Sequence, residues 1–266
     1  MENNMSNSTS WEVPSFNVLF WTPPQHRQCL VIPVINEGER IKSFIRKLNL
    51  LEIQKSVDIL IIDGGSTDNS LAPAELLSNG IKGLLVKTGN GKLSAQLRCA
   101  YAFALNEGYE GIITIDGNDK DDPATIPNFV DALNLGYDFV QASRFLKGGV
   151  AVNTPLVRNF AIRMIHAPLL SLFSGFKWTD TTQGYRAYSR KMLLDDKIKP
   201  FRNMFTSYEL LAYLSYRVPK LGYRCMEIAT SRIYPMGEVP TKISSLSGNF
   251  TVFKILILSC LGFFNP

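Results

Sequence analysis

Two short acidic stretches contain the side chains best suited to chemistry. Residues 63–68 read DGGSTD and residues 116–122 read DGNDKDD, and each stretch directly follows an apolar run. Carboxylate oxygens hold Mg²⁺ or Mn²⁺, and such a cation neutralises a diphosphate while leaving positions open for phosphate oxygens. Asp63 can instead accept a hydrogen bond from a base or a ribose hydroxyl. The competing interpretation is that both stretches are solvated turns whose acids cap the chain locally.

Two further groups can meet an anionic substrate. Lys92 follows a GNG turn at the start of an expected helix, where backbone N–H groups and the helix dipole favour phosphate, or else it is a solvated lysine. Residues 180–186 read DTTQGYR, in which Arg186 can bind a phosphate through two hydrogen bonds or can join a buried ion pair. Asp180 is the candidate general base for a hydroxyl acceptor, because the chain has only two histidines.

The elements that would position these side chains alternate between strands and helices. Apolar runs predict strands over residues 29–34, 57–62, 83–87, 111–115 and 139–142, and helical spacing predicts helices from residue 39, over 93–105 and over 126–135. This alternation implies an α/β fold with parallel strands and helices on both faces of the sheet. Ligands of such sheets lie beyond the carboxyl ends of the strands, where Asn36, Asp63 and Asp116 are expected.

The alternation stops after residue 144. A basic amphipathic helix is expected to begin near Pro155 and to end before Pro168, because proline disrupts a helix interior. The remaining predicted elements are a strand over 184–188, a helix over 207–216, a strand over 224–233 and a C-terminal apolar or amphipathic helical segment over 236–266. Residues 1–27 are interpreted as a polar leader, disordered in part.

Composition narrows the cellular setting. The net charge of +5 suits a phosphorylated substrate, a membrane surface or nucleic acid, and charge alone does not choose among them. The four cysteines show no metal-ligand spacing, which fits a reducing cytoplasm. The first residues do not form a signal peptide, and the apolar run at 252–264 is too short for a transmembrane helix. We therefore expect a cytoplasmic protein, and peripheral contact with the inner face of the membrane stays open.

The order of the motifs resembles that of the family 2 glycosyltransferases with the GT-A fold. Within them it is similar to the dolichol-phosphate mannosyltransferase and polyprenyl-phosphate glycosyltransferase group. The matching pieces are VIPVINE at 31–37, DGGSTD at 63–68, GK at 91–92, IDGN at 115–118, DP at 122–123, SRF at 143–145 and DTTQGYR at 180–186. The resemblance implies a Rossmann-like, mostly parallel sheet in a catalytic domain over residues 28–235.

The resemblance also implies how the donor is bound. Pro33, Asn36 and Glu37 would line the nucleotide pocket. Asp63 would contact the base or the ribose, and Lys92 would approach the phosphates. These five positions together would form the binding site for a nucleotide diphosphate sugar.

At the reacting centre, the resemblance places Asp116 and Asn118 at the two acidic positions of the metal-binding DxD motif. Asp180 would lie near the reacting centre, and Arg186 would contact a donor or acceptor phosphate. The amide of Asn118 can ligate a hard cation but brings no charge, so the metal should bind more weakly. Asp119 or Asp121 could supply the missing charge. On an extended backbone Asp119 points opposite to Asn118, so Asp121, or a turn in the chain, is needed as the third ligand.

A second departure from the family pattern lies at residues 63–66, which read DGGS where the family has DDGS. The first acid is retained and the second is lost. The stretch therefore keeps one carboxylate for the nucleotide.

These features predict an inverting transfer from a nucleotide diphosphate sugar to a polyprenyl phosphate or a cell-envelope glycan, assisted by Mg²⁺ or Mn²⁺. No nucleic-acid partner is expected. A polyprenyl phosphate is already an anionic nucleophile and needs no strong base. Two alternatives remain, a nucleotide-sugar binding protein without turnover and a sugar-1-phosphate nucleotidylyltransferase.

Overall fold

An eight-stranded sheet forms the centre of the computed structural model, which describes residues 11–236 and 246–266. The strands are β1 Phe16–Trp21, β2 Gln28–Val34, β3 Asp58–Asp63, β4 Gly83–Lys87, β5 Gly111–Thr114, β6 Phe139–Ser143, β7 Val150–Val152, β8 Arg186–Ser189, β9 Cys225–Ala229 and β10 Ser231–Ile233. The α-helices are α1 Glu39–Leu50, α2 Pro73–Ser78, α3 Leu93–Asn106, α4 Ile126–Asn134, α5 Leu156–Ala161, α6 Ala167–Ser174, α7 Arg190–Leu193, α8 Glu209–Lys220 and α9 Leu246–Cys260. Shorter helical turns are the 3₁₀ turns Ile53–Lys55 and Pro123–Thr125 and the π-helical turn Ile162–His166.

The strands of the main sheet are arranged in the order β1-β4-β3-β2-β5-β8-β6-β9. Strands β4, β3, β2 and β5 are parallel to one another. Strand β1 runs antiparallel to its neighbour β4, and β8 runs antiparallel to its neighbours β5 and β6. The predicted α/β class with a mostly parallel sheet is therefore confirmed. Val34 lies opposite Asp63, and Val31 lies opposite Thr114, so the loops after β2, β3 and β5 leave the same edge of the sheet.

Helices cover both faces of the sheet, as the alternation predicted. One hydrophobic core includes side chains of α3, α6, α8 and α9, and the other includes side chains of α1, α2 and α4. The buried face of α1 consists of Ile41, Phe44, Ile45 and Leu48, which recur at helical spacing. Burial of both sheet faces explains why the central strands read as continuous apolar runs.

The prediction of a leader over residues 1–27 missed strand β1. This strand pairs antiparallel with β4, so residues 16–21 belong to the sheet. Its side chains alternate between partly buried and exposed positions, as expected for a strand at the sheet edge, and it therefore lacks a continuous apolar run. Residues 1–10 lie outside the described residues.

Two other sequence predictions need correction. The helix that begins after Pro155 does not end before Pro168, because the π-helical turn Ile162–His166 leads directly into α6, in whose first turn the proline lies. The π-helical turn accommodates the proline, because its wider hydrogen-bond pattern interrupts the i to i−4 ladder that a proline would otherwise break. The single strand predicted over 224–233 is divided into β9 and β10, which belong to different sheets.

The C-terminal segment contributes α9, which packs against α6 and α8. Ile255, Leu256 and Phe264 are buried in the core, whereas Phe253, Leu261 and Phe263 are exposed. None of the helices in the described ranges has the length and apolar character needed to span a bilayer. Part of the predicted segment, residues 237–245, lies outside the described residues.

Candidate active site

Strand β2 lies between the two acidic loops and is hydrogen-bonded to both. The carbonyl of Val34 accepts the N–H of Gly64 at 2.8 Å, and the carbonyl of Pro33 accepts the N–H of Gly117 at 3.4 Å. Pro33 is half-buried at this point. The two loops that begin at Asp63 and Asp116 are therefore adjacent, as the sequence predicted.

The loop after β2 is braced against the loop after β3. Asn36 has a positive φ of 49°. Its N–H donates to Oγ of Ser66 at 2.9 Å, and its Oδ1 accepts the N–H of Thr67 at 2.8 Å. The N–H of Gly38 donates to a carboxylate oxygen of Asp68 at 2.8 Å. Asn36 therefore shapes the edge at which a nucleotide would bind.

Asp63 lies at the mouth of a small cavity. Its carboxylate accepts hydrogen bonds from the N–H and the hydroxyl of Ser66, at 2.9 and 2.6 Å. The cavity has a volume of about 140 Å³, and Leu19, Leu84 and Val86 form its apolar wall. A carboxylate beside apolar walls suits a nucleoside, whose base is largely apolar and whose ribose donates hydrogen bonds.

In the second acidic loop 23% of the Asp116 side chain is exposed, against 14% for Asp119 and none for Asp121. It accepts hydrogen bonds from Nδ2 of Asn118 at 3.4 Å and from Nη2 of Arg232 at 3.5 Å. A Cβ atom on Gly184 would lie 2.4 Å from Oδ1 of Asp116. The DTTQGYR loop therefore passes directly against Asp116, and a side chain at position 184 would displace that carboxylate.

Asp119 and Asp121 of this loop are engaged by other side chains. Asp119 accepts hydrogen bonds from Ser43 at 2.8 Å and from Lys47 at 2.7 Å, both on α1. Asp121 is fully buried and forms an ion pair with Arg232. The prediction of Asp121 as a third metal ligand does not fit this geometry, because its carboxylate faces a guanidinium instead of the open edge.

Few oxygen donors remain for a divalent cation. Asn118 Oδ1 is buried without a hydrogen-bond partner, but Nδ2 of the same amide faces Asp116, so the amide must turn over before its oxygen can join that carboxylate at a cation. Within residues 11–236 and 246–266, no group of three or more acidic, histidine or cysteine side chains is arranged to hold a metal. One carboxylate and one amide oxygen suit Mg²⁺ or Mn²⁺, but without the charge of a second acid they hold it weakly.

Two cationic side chains lie at the second acidic loop. Arg232 comes from β10, and Lys120 belongs to the loop itself. Asp121 and Asp116 raise the pKa of Arg232 above its usual value, which outweighs the effect of burial, so this guanidinium stays charged. Lys120 is only 6% exposed. Burial lowers the pKa of Lys120 and Arg232 adds to this effect, so an anion bound nearby would stabilise the ammonium form.

Tyr234 marks the centre of a strongly positive region. Its hydroxyl accepts a hydrogen bond from Nη1 of Arg158 at 3.1 Å, and Lys120 and Arg232 lie 5.3 and 5.7 Å from its ring centroid. Burial alone would raise the pKa of Tyr234, but Arg232, Arg144 and Arg158 lower it to about 8. Nη1 of Arg144 is buried without a hydrogen-bond partner. This arrangement suits an anionic ligand.

The loop over residues 179–186 is occupied by internal contacts. Asp180 and Arg144 form a buried ion pair, with 2.7 Å between Oδ2 and Nε. The backbone N–H groups of Thr179 and Asp180 donate to the carboxylate of Glu227. The carboxylate of Asp180 is thus engaged by Arg144, a partner that the sequence does not indicate.

Arg186 is also buried, and its donors are engaged. Nε and Nη2 donate to the carbonyls of Gln183 and Thr181 at 2.9 and 2.8 Å, and Nη1 donates to the carbonyl of Leu211 at 2.7 Å. A phosphate contact would require breaking several of these hydrogen bonds. The geometry therefore favours a structural role for Arg186, which fixes the loop. It does not favour the phosphate contact that the sequence predicts.

Lys92 lies at the N-terminus of α3 as predicted, with an exposed side chain. The backbone N–H groups there are engaged, because those of Lys92 and Ser94 donate to the carbonyls of Thr206 and Ser207 at 2.7 and 2.8 Å. The helix terminus thus offers fewer free donors than expected. The exposed ammonium group of Lys92 remains available to a phosphate.

Glu37 lies at the same edge of the sheet and is held by an ion pair with a residue close in sequence. Its carboxylate accepts from Nε of Arg40 at 3.0 Å, three residues later at the start of α1. The predicted nucleotide-binding residues Pro33, Asn36, Glu37 and Asp63 are thus brought together around the ends of β2 and β3. The sequence does not predict a role for Arg232 or Tyr234. The one indication is that Arg232 is a charged residue inside a predicted strand.

The comparison with protein families gives one match over most of the chain. The model of "Glycosyl transferase family 2" matches residues 29–195. A "Dolichyl-phosphate hexose transferase" of Haloferax volcanii is 35% identical over 136 residues, which is 51% of this chain and 55% of that protein. A "Polyprenol monophosphomannose synthase" of Mycolicibacterium smegmatis is 26% identical over 229 residues, which is 85% of this chain and 83% of that protein.

Solved structures support the GT-A fold. A glucosyl-3-phosphoglycerate synthase of Mycobacterium tuberculosis, in complex with Mn²⁺, uridine diphosphate and glucosyl-3-phosphoglycerate, has a TM-score of 0.58 at 15% identity, covering 88% of this chain and 78% of that chain. A mannosyl-3-phosphoglycerate synthase of Rubrobacter xylanophilus has a TM-score of 0.61 at 14% identity, covering 88% and 72%. At these identities the likeness concerns the fold alone.

Proposed function

The chain belongs to glycosyl transferase family 2, and we propose that it transfers a sugar from a nucleotide diphosphate donor to a polyprenyl phosphate. The observation that carries the proposal is the positive region around Tyr234, directly beside Asp116. The names of the two curated relatives, a dolichyl-phosphate hexose transferase and a polyprenol monophosphomannose synthase, support the same substrate classes. The alignment spans about half of the first relative, so the activity of the whole protein is part of the proposal.

The donor would bind at the ends of β2, β3 and β5. The nucleoside would enter the cavity beside Asp63, with Asn36 and Glu37 at its rim. Its diphosphate would then extend toward Asp116, with the ammonium of Lys92 on its other side. This orientation follows from the neighbouring positions of the three strand ends and needs no rearrangement of the sheet.

The acceptor phosphate would bind among Arg144, Arg158 and Tyr234. Nη1 of Arg144 lacks a hydrogen-bond partner, and a buried guanidinium donor in that state favours an anionic oxygen. A phosphate is already an anionic nucleophile, so the reaction does not need Asp180 as a base. Attack of a phosphate oxygen on the anomeric carbon, opposite the departing diphosphate, would invert that centre.

The lipid chain of the acceptor implies contact with a membrane. Leu156, Phe160 and Met164 recur every four residues along the helical segment and are 86%, 62% and 62% exposed. Such side chains form a continuous apolar stripe on one face, and Arg163 lies exposed next to it. We propose that this stripe rests on the cytoplasmic face of a bilayer, where basic side chains meet anionic lipids.

A divalent cation would be held by Asp116 and Asn118. Mg²⁺ or Mn²⁺ would supply positive charge to the diphosphate of the donor. The Mn²⁺ in the Mycobacterium tuberculosis neighbour supports a metal of this kind. The amide at position 118 makes the affinity lower than that of a two-carboxylate site.

A transfer assay with radiolabelled nucleotide sugars tests the proposal. Wild-type protein is incubated with uridine and guanosine diphosphate sugars and with a polyprenyl phosphate in vesicles, and lipid-extractable label is counted. We expect labelled lipid, with about a 10-fold loss for Arg158→Gln. The exposed Arg46→Gln on α1 serves as a matched control and should retain full activity.

The other outcomes of this assay identify the alternatives. Label that enters a glycan and never the lipid would contradict the lipid acceptor. Binding of the donor without release of nucleoside diphosphate would indicate a nucleotide-sugar binding protein. Formation of nucleotide sugar from a sugar 1-phosphate and a nucleoside triphosphate would indicate a nucleotidylyltransferase.

A further inference from the structure

We propose that Lys120 binds the diphosphate of the donor. Its positive charge would then neutralise much of the diphosphate charge that a tightly bound metal ion neutralises in other sites. The inference rests on the proposed function, since it assigns a residue to the donor site. It concerns a side chain inside the acidic loop that the motif comparison left unassigned. Its basis is the position of Lys120 and the charges around it.

The position of Lys120 is fixed by pairing of its loop with β10. The carbonyl of Lys120 accepts the N–H of Ile233 at 2.8 Å, and the N–H of Asp122 donates to the carbonyl of Ser231 at 3.1 Å. The ammonium lies 5.3 Å from the ring centroid of Tyr234. Because both sides of the loop are held, the lysine loses little further conformational freedom on binding a ligand.

The charges of the loop favour an anion over a cation. Asp121 is neutralised by Arg232, whose guanidinium also lies 3.5 Å from a carboxylate oxygen of Asp116. Asn118 removes one negative charge from a site of the DxD type, and Lys120 adds one positive charge two residues later. Both differences weaken the attraction of this loop for a divalent cation, and both strengthen its attraction for a diphosphate.

An additional unmet donor points to a ligand at this place. Nε of Arg232 is buried and has no hydrogen-bond partner. Buried guanidinium donors are rarely left in this state. A bound diphosphate has enough acceptor oxygens to satisfy such donors, which places its charge within the cluster that contains Lys120.

The chemical role follows from the charge that appears during transfer. As an oxygen of the acceptor phosphate bonds to the anomeric carbon, the bond from that carbon to the donor diphosphate breaks. The electron pair of this bond passes to the terminal diphosphate oxygen, which gains one negative charge. A fixed ammonium group beside that oxygen stabilises the product more than the intact donor, and thereby lowers the barrier.

The test measures nucleoside diphosphate binding by calorimetry, in EDTA and in Mn²⁺. The uridine, guanosine, adenosine, cytidine and thymidine diphosphates are screened with wild-type protein, and the tightest binder is used for the variants. We expect the wild-type affinity in EDTA to lie within about 3-fold of that in Mn²⁺, and Lys120→Gln to lose about 10-fold in EDTA, which corresponds to about 1.4 kcal/mol. Lys120→Arg should retain most of the affinity.

Two further variants sharpen the test. Lys55→Gln removes a lysine near the amino end of β3, at the opposite edge of the sheet, and should bind as the wild type does. The double variant Asn118→Asp with Lys120→Gln should bind the nucleotide only when Mn²⁺ is present. Melting temperatures of all variants establish that each is folded.

Each result has a distinct meaning. Unchanged binding by folded Lys120→Gln in EDTA would overturn the inference, and so would loss of wild-type binding in EDTA, a result that needs no variant. Either outcome would leave the proposed function standing, because the nucleotide would still bind. If no nucleoside diphosphate binds under either condition, the proposed function itself fails.

Discussion

The loops over residues 116–122 and 179–186 contain similar residue types and lie against each other, yet their side chains are in different states. In the first loop, Asp116 is partly exposed and Asn118 has a buried oxygen without a partner. In the second, Asp180 pairs with Arg144, and Arg186 donates to several carbonyls. The first loop therefore keeps a partly exposed carboxylate, whereas the charged side chains of the second loop are engaged in internal contacts.

This difference teaches that residue type alone does not identify a site. A buried acid with its charge already compensated has little further affinity to offer, and breaking its pair is costly. An acid at the open edge, close to unsatisfied donors, can exchange its weak contacts for a ligand. The predictions below aim to break or sharpen this contrast.

The largest expected effect comes from Asp116→Asn. Asp116 is the one carboxylate in the proposed site for the cation that neutralises the donor diphosphate, so its loss should lower the transfer rate by about 1,000-fold. Asp119→Asn is the matched control in the same loop, because Asp119 faces Ser43 and Lys47 and asparagine tolerates its positive φ. Transfer assays and melting curves check both variants. Equal activities would remove Asp116 from the site.

The next effect concerns stability. Asp180→Asn leaves the buried Arg144 guanidinium without its counter-charge, so the free energy of unfolding should fall by about 3 kcal/mol in urea titrations. Glu39→Gln, which breaks an exposed pair with Lys42, should cause no measurable change. A stable Asp180→Asn protein with a selective loss of kcat would contradict this account and favour the general base expected from sequence.

A smaller effect is expected from Asn118→Asp. The new carboxylate would stand beside Asp116, and it should raise Mn²⁺ affinity about 10-fold by adding a charged oxygen ligand. Calorimetry with Mn²⁺ alone measures the change. An unchanged affinity would show that position 118 does not touch the metal.

The smallest effect is a pH dependence at Tyr234. Its pKa of about 8 in the folded protein lies below the usual value near 10, so the added stability is complete above about pH 10 and is lost as pH falls through 8. Ultraviolet titration should detect one tyrosine ionising near pH 8, absent in Tyr234→Phe. Nucleoside diphosphate should shift this ionisation upward, because the anion offsets the surrounding guanidinium charges. A midpoint near 10 in the free protein would contradict the positive region.

The sequence predicted the gathering of Asn36, Asp63 and Asp116 well, and the reason is simple. Each follows a strongly apolar strand, and parallel strands end at one edge of a sheet. The buried face of α1 was predictable for a similar reason, because its apolar residues recur at helical spacing. Such local patterns are readable without knowledge of tertiary contacts.

The partners of the buried charges were not predictable. Arg232 is separated from Asp121 by 111 residues, and Arg144 is separated from Asp180 by 36, so no local pattern links them. The edge strand β1 was missed because its half-buried side chains alternate with exposed ones. The sequence predicts a helix end before Pro168, whereas a π-helical turn before it accommodates the proline.

Hydrogen–deuterium exchange with and without a tightly binding nucleoside diphosphate tests the contrast between the two loops most directly. Peptides that cover residues 116–122 and 231–236 should gain protection on binding, because the ligand contacts them. Peptides over 179–186 should exchange slowly in both states, since their hydrogen bonds already exist. Protection gained over 179–186 with none over 116–122 would contradict the account.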